Sequence, residues 1–284
     1  MSVTNQKQKD LWNGDTGDAW IEEQRFLDDF LGQLSLKAIT SIAMQAQERS
    51  TLIDLGCGCG STSFLFASKL ANASSITGVD FSAQMIHKAQ QDLKKSAYNN
   101  IDFDCKDLQE DMLDQNKYTH AFSRFGVMFF TDPIKAFTNI YKSMKENATL
   151  TFVCFQEAQK NKLQSIAMQT LSMYLDLPKP QPHAPSPFAF ADQSYVNDVL
   201  SKSNFKKISC ENIEETISIA QEKTKKEFVQ VLLRANPTLP MLINKLEASK
   251  KEMCINDLEN AYQSYKTSEG FSLPTAYKIV TALK

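Results

Sequence analysis

An excess of charge of either sign is what this sequence most plainly lacks. Its 31 Lys and Arg face 33 Asp and Glu, leaving a formal net charge of −2. A chain without surplus positive charge gains little from releasing counterions off a polyanion, so no nucleic acid and no anionic membrane is expected as a partner. Long apolar runs are missing too, and nothing approaches the roughly 20 residues that would cross a bilayer. The leading MSVTNQKQKD has neither the apolar stretch nor the small-residue cleavage site of a secretory signal. Six cysteines in that setting are expected to be reduced thiols, which places the protein in the cytoplasm. Histidine is scarce, with three in 284 residues.

What is present is an alternation of short apolar strands with amphipathic helices. Trp20, Phe26, Leu27, Phe30, Leu31 and Leu34 recur at helical spacing and predict helix from about Leu11 to Gln47. TLIDLG reads as a strand running into glycines, with a helix over Ser61–Leu70. SITGVD (Ser75–Asp80) is a second strand, and Ser82 is an N-cap for a helix with Met85, Ile86, Ala89 and Leu93 on one face. IDFDC and HAFSRF make the third and fourth strands, the latter leading into the apolar loop GVMFF. Asp132 and Pro133 open the next helix, and ATLTFVCF is the fifth strand. This order implies right-handed crossovers, a mostly parallel sheet, and a ligand at the carboxyl ends of the strands where their order reverses.

Beyond Phe155, a helix is expected over Glu157–Leu175. PKPQPHAPSP, with five prolines in ten residues, reads as a surface loop and lid. Helix over Ala191–Ser203, the strand FKKISCENIEETISI, helices near Lys223–Arg234 and Pro240–Tyr265, and the strand PTAYKIVTAL complete the chain.

The stretch LIDLGCGCGS, Leu52 to Ser61, holds three glycines at alternate positions with a cysteine in each gap. Gly56 and Gly58 allow positive φ and close approach of a ligand. Three aspartates, Asp54, Asp80 and Asp107, fall at or beside the ends of successive strands and can border one crevice. For a nucleoside cofactor, Asp80 offers two acceptors to a ribose diol and Asp107 accepts from the exocyclic amine of adenine. Phe81, Met85 and Leu108 would sandwich the base. The dinucleotide fingerprint G-x-G-x-x-G fails here, its last glycine falling on Ser61 or Ser63. Cys57 and Cys59 lack further ligands for zinc and the C-x-x-C spacing of a redox pair, so no metal is expected. A thiol exposed at this helix start would nonetheless be unusually reactive.

DLGCGCG resembles motif I of class I S-adenosylmethionine-dependent methyltransferases, usually D-x-G-C-G-T-G. GVDFSAQMI is similar to their second motif and CKDL to their third. SRFGVMFFTDPIKAFTNI and FVCF look like the fourth- and fifth-strand regions of a bacterial subgroup acting on small molecules (methyltransferase type 11/25-like). GDAWIEEQRFLD and SPFAFAD resemble flanking elements of that subgroup. The resemblance runs from about Trp12 to Phe205 and recurs in the last strand. It implies a Rossmann-like, seven-stranded, mostly parallel sheet with helices on both faces, plus N-terminal helices and helical insertions. It also implies S-adenosylmethionine as cofactor, held by Trp20, Asp54, Gly56, Cys57, Gly58, Asp80, Phe81, Met85, Asp107, Leu108 and Ser123, with Cys57 a small packing residue. The departures are Cys59 for the usual threonine, Thr119 for a frequent aspartate, and FVCFQ for a tryptophan-containing version.

The expected reaction is direct in-line transfer of a methyl group to a small-molecule metabolite. Trp12, Arg124, Phe125, Phe129 and His183 are the candidates for substrate contact, although an ion pair holding a loop explains Arg124 equally well. Such a displacement needs positioning and exclusion of water, and a general base only where the acceptor loses a proton early. His87, His120 and His183 are the available histidines, and none is assigned that role. The expected division is an N-terminal helical cap (1–47), a cofactor-binding core (48–156), a lid with a return helix (157–204) and C-terminal strands with a helical insertion (205–284). A monomer or homodimer is expected. The competing readings are an NAD(P)-dependent oxidoreductase of Rossmann type and a non-catalytic S-adenosylmethionine-binding or interaction protein.

Overall fold

The computed structural model describes residues 3–46, 49–70, 74–179, 181–236 and 238–284. Three helices come first: α1 (Val3–Trp12), α2 (Asp15–Glu22) and α3 (Gln24–Gln45). The core then alternates β1 (Thr51–Leu55), α4 (Ser61–Lys69), β2 (Ser75–Asp80), α5 (Ala83–Lys95), β3 (Ile101–Cys105), β4 (Tyr118–Arg124), α6 (Pro133–Ser143) and β5 (Met144–Phe155). The second half adds α7 (Lys162–Ser172), α8 (Gln193–Lys202), β6 (Lys206–Ile219), α9 (Lys225–Ala235), α10 (Thr238–Ile243), α11 (Ala248–Gln263), β7 (Lys266–Thr267) and β8 (Gly270–Leu283).

The strands form one sheet in the order β3-β2-β1-β4-β5-β8-β6, with the short β7 hydrogen-bonded beside β8. The first five strands are mutually parallel, and β8 runs antiparallel to both β5 and β6. The expected mostly parallel α/β sheet is therefore present, with β7 as an addition. The chain winds outward from β1 to β3 and then returns to β4 on the other side of β1. The carboxyl ends of β1 and β4 thus flank the reversal point, where crossover loops diverge and leave a crevice.

Register decides which helices share a face. Phe122 on β4 pairs with Thr151 on β5, so Phe122 and Phe152 point to opposite faces. Phe66 of α4 packs edge-on against Phe122 at 5.2 Å, and Phe137 of α6 packs against Phe152 at 5.7 Å. Helices α4 and α6 therefore lie on opposite sides. Phe30 of α3 stacks on Phe155, which shares the α4 face, while α8 packs against α6 on the other. Local chemistry sets the helix starts. The Ser82 side chain accepts from the Met85 amide, Asp132 caps α6 ahead of Pro133, and Thr224 with Glu227 forms a reciprocal capping box on α9.

Three expected helices are divided. The one over Leu11–Gln47 breaks into α1, α2 and α3, and Gln47 itself lies outside the described residues. The first break is made by tertiary contact: the Asn13 side chain accepts from the Ala83 amide and donates to the Phe81 carbonyl. The helix over Glu157–Leu175 is a single 3-10 turn followed by α7. Asn161 separates the two with an extended backbone, and its side-chain oxygen accepts from the Ala276 amide of β8. The helix over Pro240–Tyr265 is α10 and α11, parted at the extended Glu247. Within the proline-rich segment, Pro180 lies outside the described residues, and no helix forms among its described neighbours.

Gly78, inside β2, illustrates the packing limit under the crevice. A Cβ there would come within 2.6 Å of the Phe103 ring and 3.0 Å of the Cys57 sulfur. Gly78→Ala is expected to destabilise the fold by about 1–3 kcal/mol through overpacking, read as a lower denaturation midpoint with an unchanged slope.

Candidate functional site

The turn between β1 and α4 places Gly56, Gly58 and Gly60 at φ of 68°, 54° and 85°. These left-handed values cost a residue with a Cβ free energy that glycine avoids. The Gly56 and Cys57 amides both donate to the Val79 carbonyl, at 2.8 and 3.1 Å. The Gly58 amide donates to one oxygen of Asp80 at 3.0 Å, and the Ser82 amide to the other at 2.8 Å. The Asp80 carboxylate thus joins the glycine turn to the start of α5. Burial raises its pKa, opposed by those amide bonds.

Above this turn lies a cavity, the kind of concave, mostly apolar site in which small ligands bind. Gly56, Gly58 and Asp80 form part of its floor. Phe81 follows β2, Met85 comes from the first turn of α5, Lys106 and Leu108 from the loop after β3, and Arg124, Phe125, Gly126, Phe129 and Phe130 from the end of β4 and its loop. Trp12 and Trp20 approach from α1 and α2. Trp12 sits edge-on to both Trp20 and Phe129, with ring centroids 5.3 and 5.0 Å apart. Phe125 holds φ of 54° and stacks on Phe155 at 4.3 Å, so a left-handed backbone at a bulky residue ends β4 beside the cavity.

Eleven of the expected site residues line this cavity: Trp12, Trp20, Gly56, Gly58, Asp80, Phe81, Met85, Leu108, Arg124, Phe125 and Phe129. Five do not. Asp54 is fully buried beneath the turn, where one oxygen accepts from the Ser63 hydroxyl at 2.7 Å and Oδ1 has no partner. The Ser123 hydroxyl donates to the Leu55 carbonyl at 2.7 Å and ties β4 to β1 instead of facing a ligand. Asp107 is buried among donors, with Lys9 at 3.0 Å and the Gln109 amide at 2.9 Å. His183 is an exposed residue of the proline-rich loop, its ring stacked 3.8 Å from that of Tyr195. Cys57 is buried and packs toward Gly78.

The expectation of an unusually reactive thiol is corrected. Cys57 and Cys59 are both buried; burial drives the Cys57 thiol well above its ordinary value and the Cys59 thiol up to about 12. Desolvation of the thiolate outweighs the attraction of the helix start. No group of residues suited to holding a metal ion occurs among the described residues.

Arg124 makes the ion pair weighed for it, at 2.7 Å from Asp28 of α3, while still lining the cavity. Asp28 also accepts from the Ser61 hydroxyl at the start of α4, and Gln24 donates to that same hydroxyl at 2.9 Å. This junction of α3, α4 and β4 was not expected, because a helix-surface aspartate has no local signature. Lys106 and Gly126 also line the cavity; both lie inside the recognised CKDL and SRFGVMFF stretches, and only the loop path turns them inward. Phe130, of the apolar loop GVMFF, joins them. None of the three histidines lines the cavity.

A family model described as a methyltransferase domain matches residues 46–208, more than half of the chain. The chain belongs to the methyltransferase domain family. It is 22% identical over 118 residues to demethylmenaquinone methyltransferase of Listeria welshimeri, which covers 42% of this chain and 49% of that protein. The chain spans about half the length of the curated relatives it matches. Among solved structures, the YcgJ protein from Bacillus subtilis superposes with a TM-score of 0.56 at 13% identity, covering 87% of this chain and 98% of that one. Phosphoethanolamine N-methyltransferase 2 of Haemonchus contortus, in complex with S-adenosyl-L-methionine, does so with a TM-score of 0.53 at 16% identity, over 87% and 51%. At these identities the structural likeness concerns the fold.

Asp54, buried beneath the glycine turn, gives the fold a pH signature. Burial raises the pKa of Asp54 from 3.8 to about 6, against the opposing pull of the Ser63 hydroxyl and Arg124. Because folding favours the protonated form, the contribution is favourable below pH 4 and is lost as the pH rises through 6. Asp54→Asn is expected to gain stability on wild type between pH 4 and pH 7, by up to about 3 kcal/mol. Denaturant melts of both proteins across that range measure it, and parallel pH profiles would contradict it.

Proposed function

We propose that this methyltransferase domain binds S-adenosylmethionine in the cavity and transfers its methyl group to a small, largely apolar acceptor. The observation that carries the reading is the Asp80 carboxylate set beside the Gly58 turn at the cavity floor. Asp80 would hold the ribose diol, and Phe81, Met85 and Leu108 the base. The residues present fit that ligand. A Cβ placed on Gly58 meets only the Met85 sulfur, at 3.6 Å, so the turn is open toward the cavity. The Arg124 fork, one nitrogen on Asp28, keeps donors for an anionic group on cofactor or acceptor.

When bound, the cofactor supplies an electrophilic methyl: the acceptor's lone pair forms the new bond as the carbon–sulfur bond breaks and its electron pair stays on sulfur. The chain's own part is to orient the ligands and exclude water. Trp12, Phe125, Phe129 and Phe130 give the acceptor side an aromatic wall, suited to a flat or apolar molecule, with Trp20 kept for the cofactor. With no histidine in that wall, the reading favours an acceptor whose attacking atom needs no imidazole base. The demethylmenaquinone relative supports the same acceptor character.

The finer points of the reading have separate support. Six free cysteines accord with a cytoplasmic setting, and no described helix is long and apolar enough to cross a membrane. We retain a monomer or homodimer, and the division at 1–47, 48–156, 157–204 and 205–284. The failed G-x-G-x-x-G register disfavours the oxidoreductase alternative.

Turnover with S-adenosylmethionine against a panel of quinone, phenol, amine and thiol acceptors tests the proposal. Wild type is expected to methylate at least one class. Asp80→Ala is expected to weaken cofactor binding about 10- to 100-fold, from the loss of hydrogen bonds to a charged acceptor. Binding without turnover on any acceptor would favour the non-catalytic alternative.

A further inference from the structure

The carboxylate after β3 is already occupied by this chain. Asp107 has four lone-pair sites, and three are in use. Its Oδ1 accepts from the Gln109 amide at 2.9 Å, and its Oδ2 takes both the Asn5 side-chain amide and the Lys9 ammonium, the latter at 3.0 Å. Asn5 and Lys9 lie one turn apart on α1 and present one face of that helix. Thr131 lies beside Asn5, its hydroxyl 3.3 Å from the Asn5 side-chain oxygen and donating at 2.9 Å to the Gln109 side-chain oxygen.

The other end of α1 is fastened to the opposite rim of the cavity. The Ser82 hydroxyl donates to the Trp12 carbonyl at 2.9 Å, and the Ala83 amide donates to the Asn13 side chain at 2.9 Å. Trp12 then supplies a cavity wall. Helix α1 therefore bridges the loops after β2 and β3, and Asp107 is absent from the cavity lining on the far side of that bridge.

We infer that α1 is a self-latching cover, whose Asn5 and Lys9 compete with the amino group of a bound adenine for Asp107. The inference rests on the proposed cofactor reading. In the closed form the carboxylate keeps one free lone pair and is buried to 5% exposure, so an incoming amine must displace the α1 donors to gain full access. Opening at Asn13–Gly14 frees Asp107 and the cavity mouth together. Only the fraction of molecules with α1 released is then competent to bind, and apparent affinity falls by that fraction. Lys9 is about one-third exposed, so its pair with Asp107 is weakened by salt.

Lys9→Met, which keeps the aliphatic stem, separates the alternatives in the full chain. S-adenosylhomocysteine is titrated into wild type and the variant at low and high salt, with amide hydrogen exchange across α1 in the ligand-free proteins. The variant is expected to bind about two- to fivefold tighter, to exchange faster in α1, and to lose the salt-induced tightening that wild type displays. Asn5→Ala combined with Lys9→Met is expected to extend each change. Equal or weaker binding in Lys9→Met, with wild type binding normally, overturns the latch and leaves the cofactor reading intact. No binding by either protein overturns the cofactor reading and the latch with it.

Discussion

The hydrogen bond from the Gly58 amide to the Asp80 carboxylate is the contact on which the site depends. It joins the turn after β1 to the carboxyl end of the adjacent parallel strand β2, and the three glycines of that turn hold left-handed φ. With that turn in place, α4 begins at Ser61 and Asp54 is sealed beneath, held by Ser63 of that helix. The same carboxylate accepts from the Ser82 amide, so it also sets where α5 begins. One acidic side chain thus fixes the relative position of the cradle and of the wall formed by Phe81 and Met85. A bulkier turn or a neutral side chain at position 80 would release both.

Charge around the crevice is arranged in an unequal way. Asp54 and Asp80 are both raised by burial, so the floor of the cavity resists holding two negative charges. Arg124 lies close enough to oppose that effect on Asp54, but Asp28 draws its guanidinium toward α3. A half-buried pair of this kind adds little net stability, because desolvation offsets the attraction. Its consequence is geometric: α3, the start of α4 and the end of β4 meet at one junction beside the cavity.

Much of this architecture was legible in the sequence. Strands show as apolar runs of the right length, and Ser82, Asp132 and the glycines mark the boundaries of the elements that follow. The spacing of Gly56, Gly58 and Asp80 identifies the cavity floor because it reflects backbone geometry, which is local. Contacts made across the fold were not legible. Asn13 breaks a helix whose periodicity runs on, since its side chain finds partners about 70 residues away. Asp107 sits where the motif places it, yet its donors come from α1, about 100 residues earlier in the chain. Ser123 is hydrogen-bonded to β1 for the same reason, and His183 turns to Tyr195 because a proline-rich loop carries no periodic signal.

The central claim is that the cavity at the ends of β1, β2 and β4 recognises the adenosyl group of a sulfonium cofactor. Calorimetric titration of the wild-type chain with S-adenosylhomocysteine and, separately, with NADH tests it most directly. Saturable one-to-one binding of S-adenosylhomocysteine, with no heat from NADH, is the predicted result. Saturable binding of NADH with no response to S-adenosylhomocysteine would contradict it.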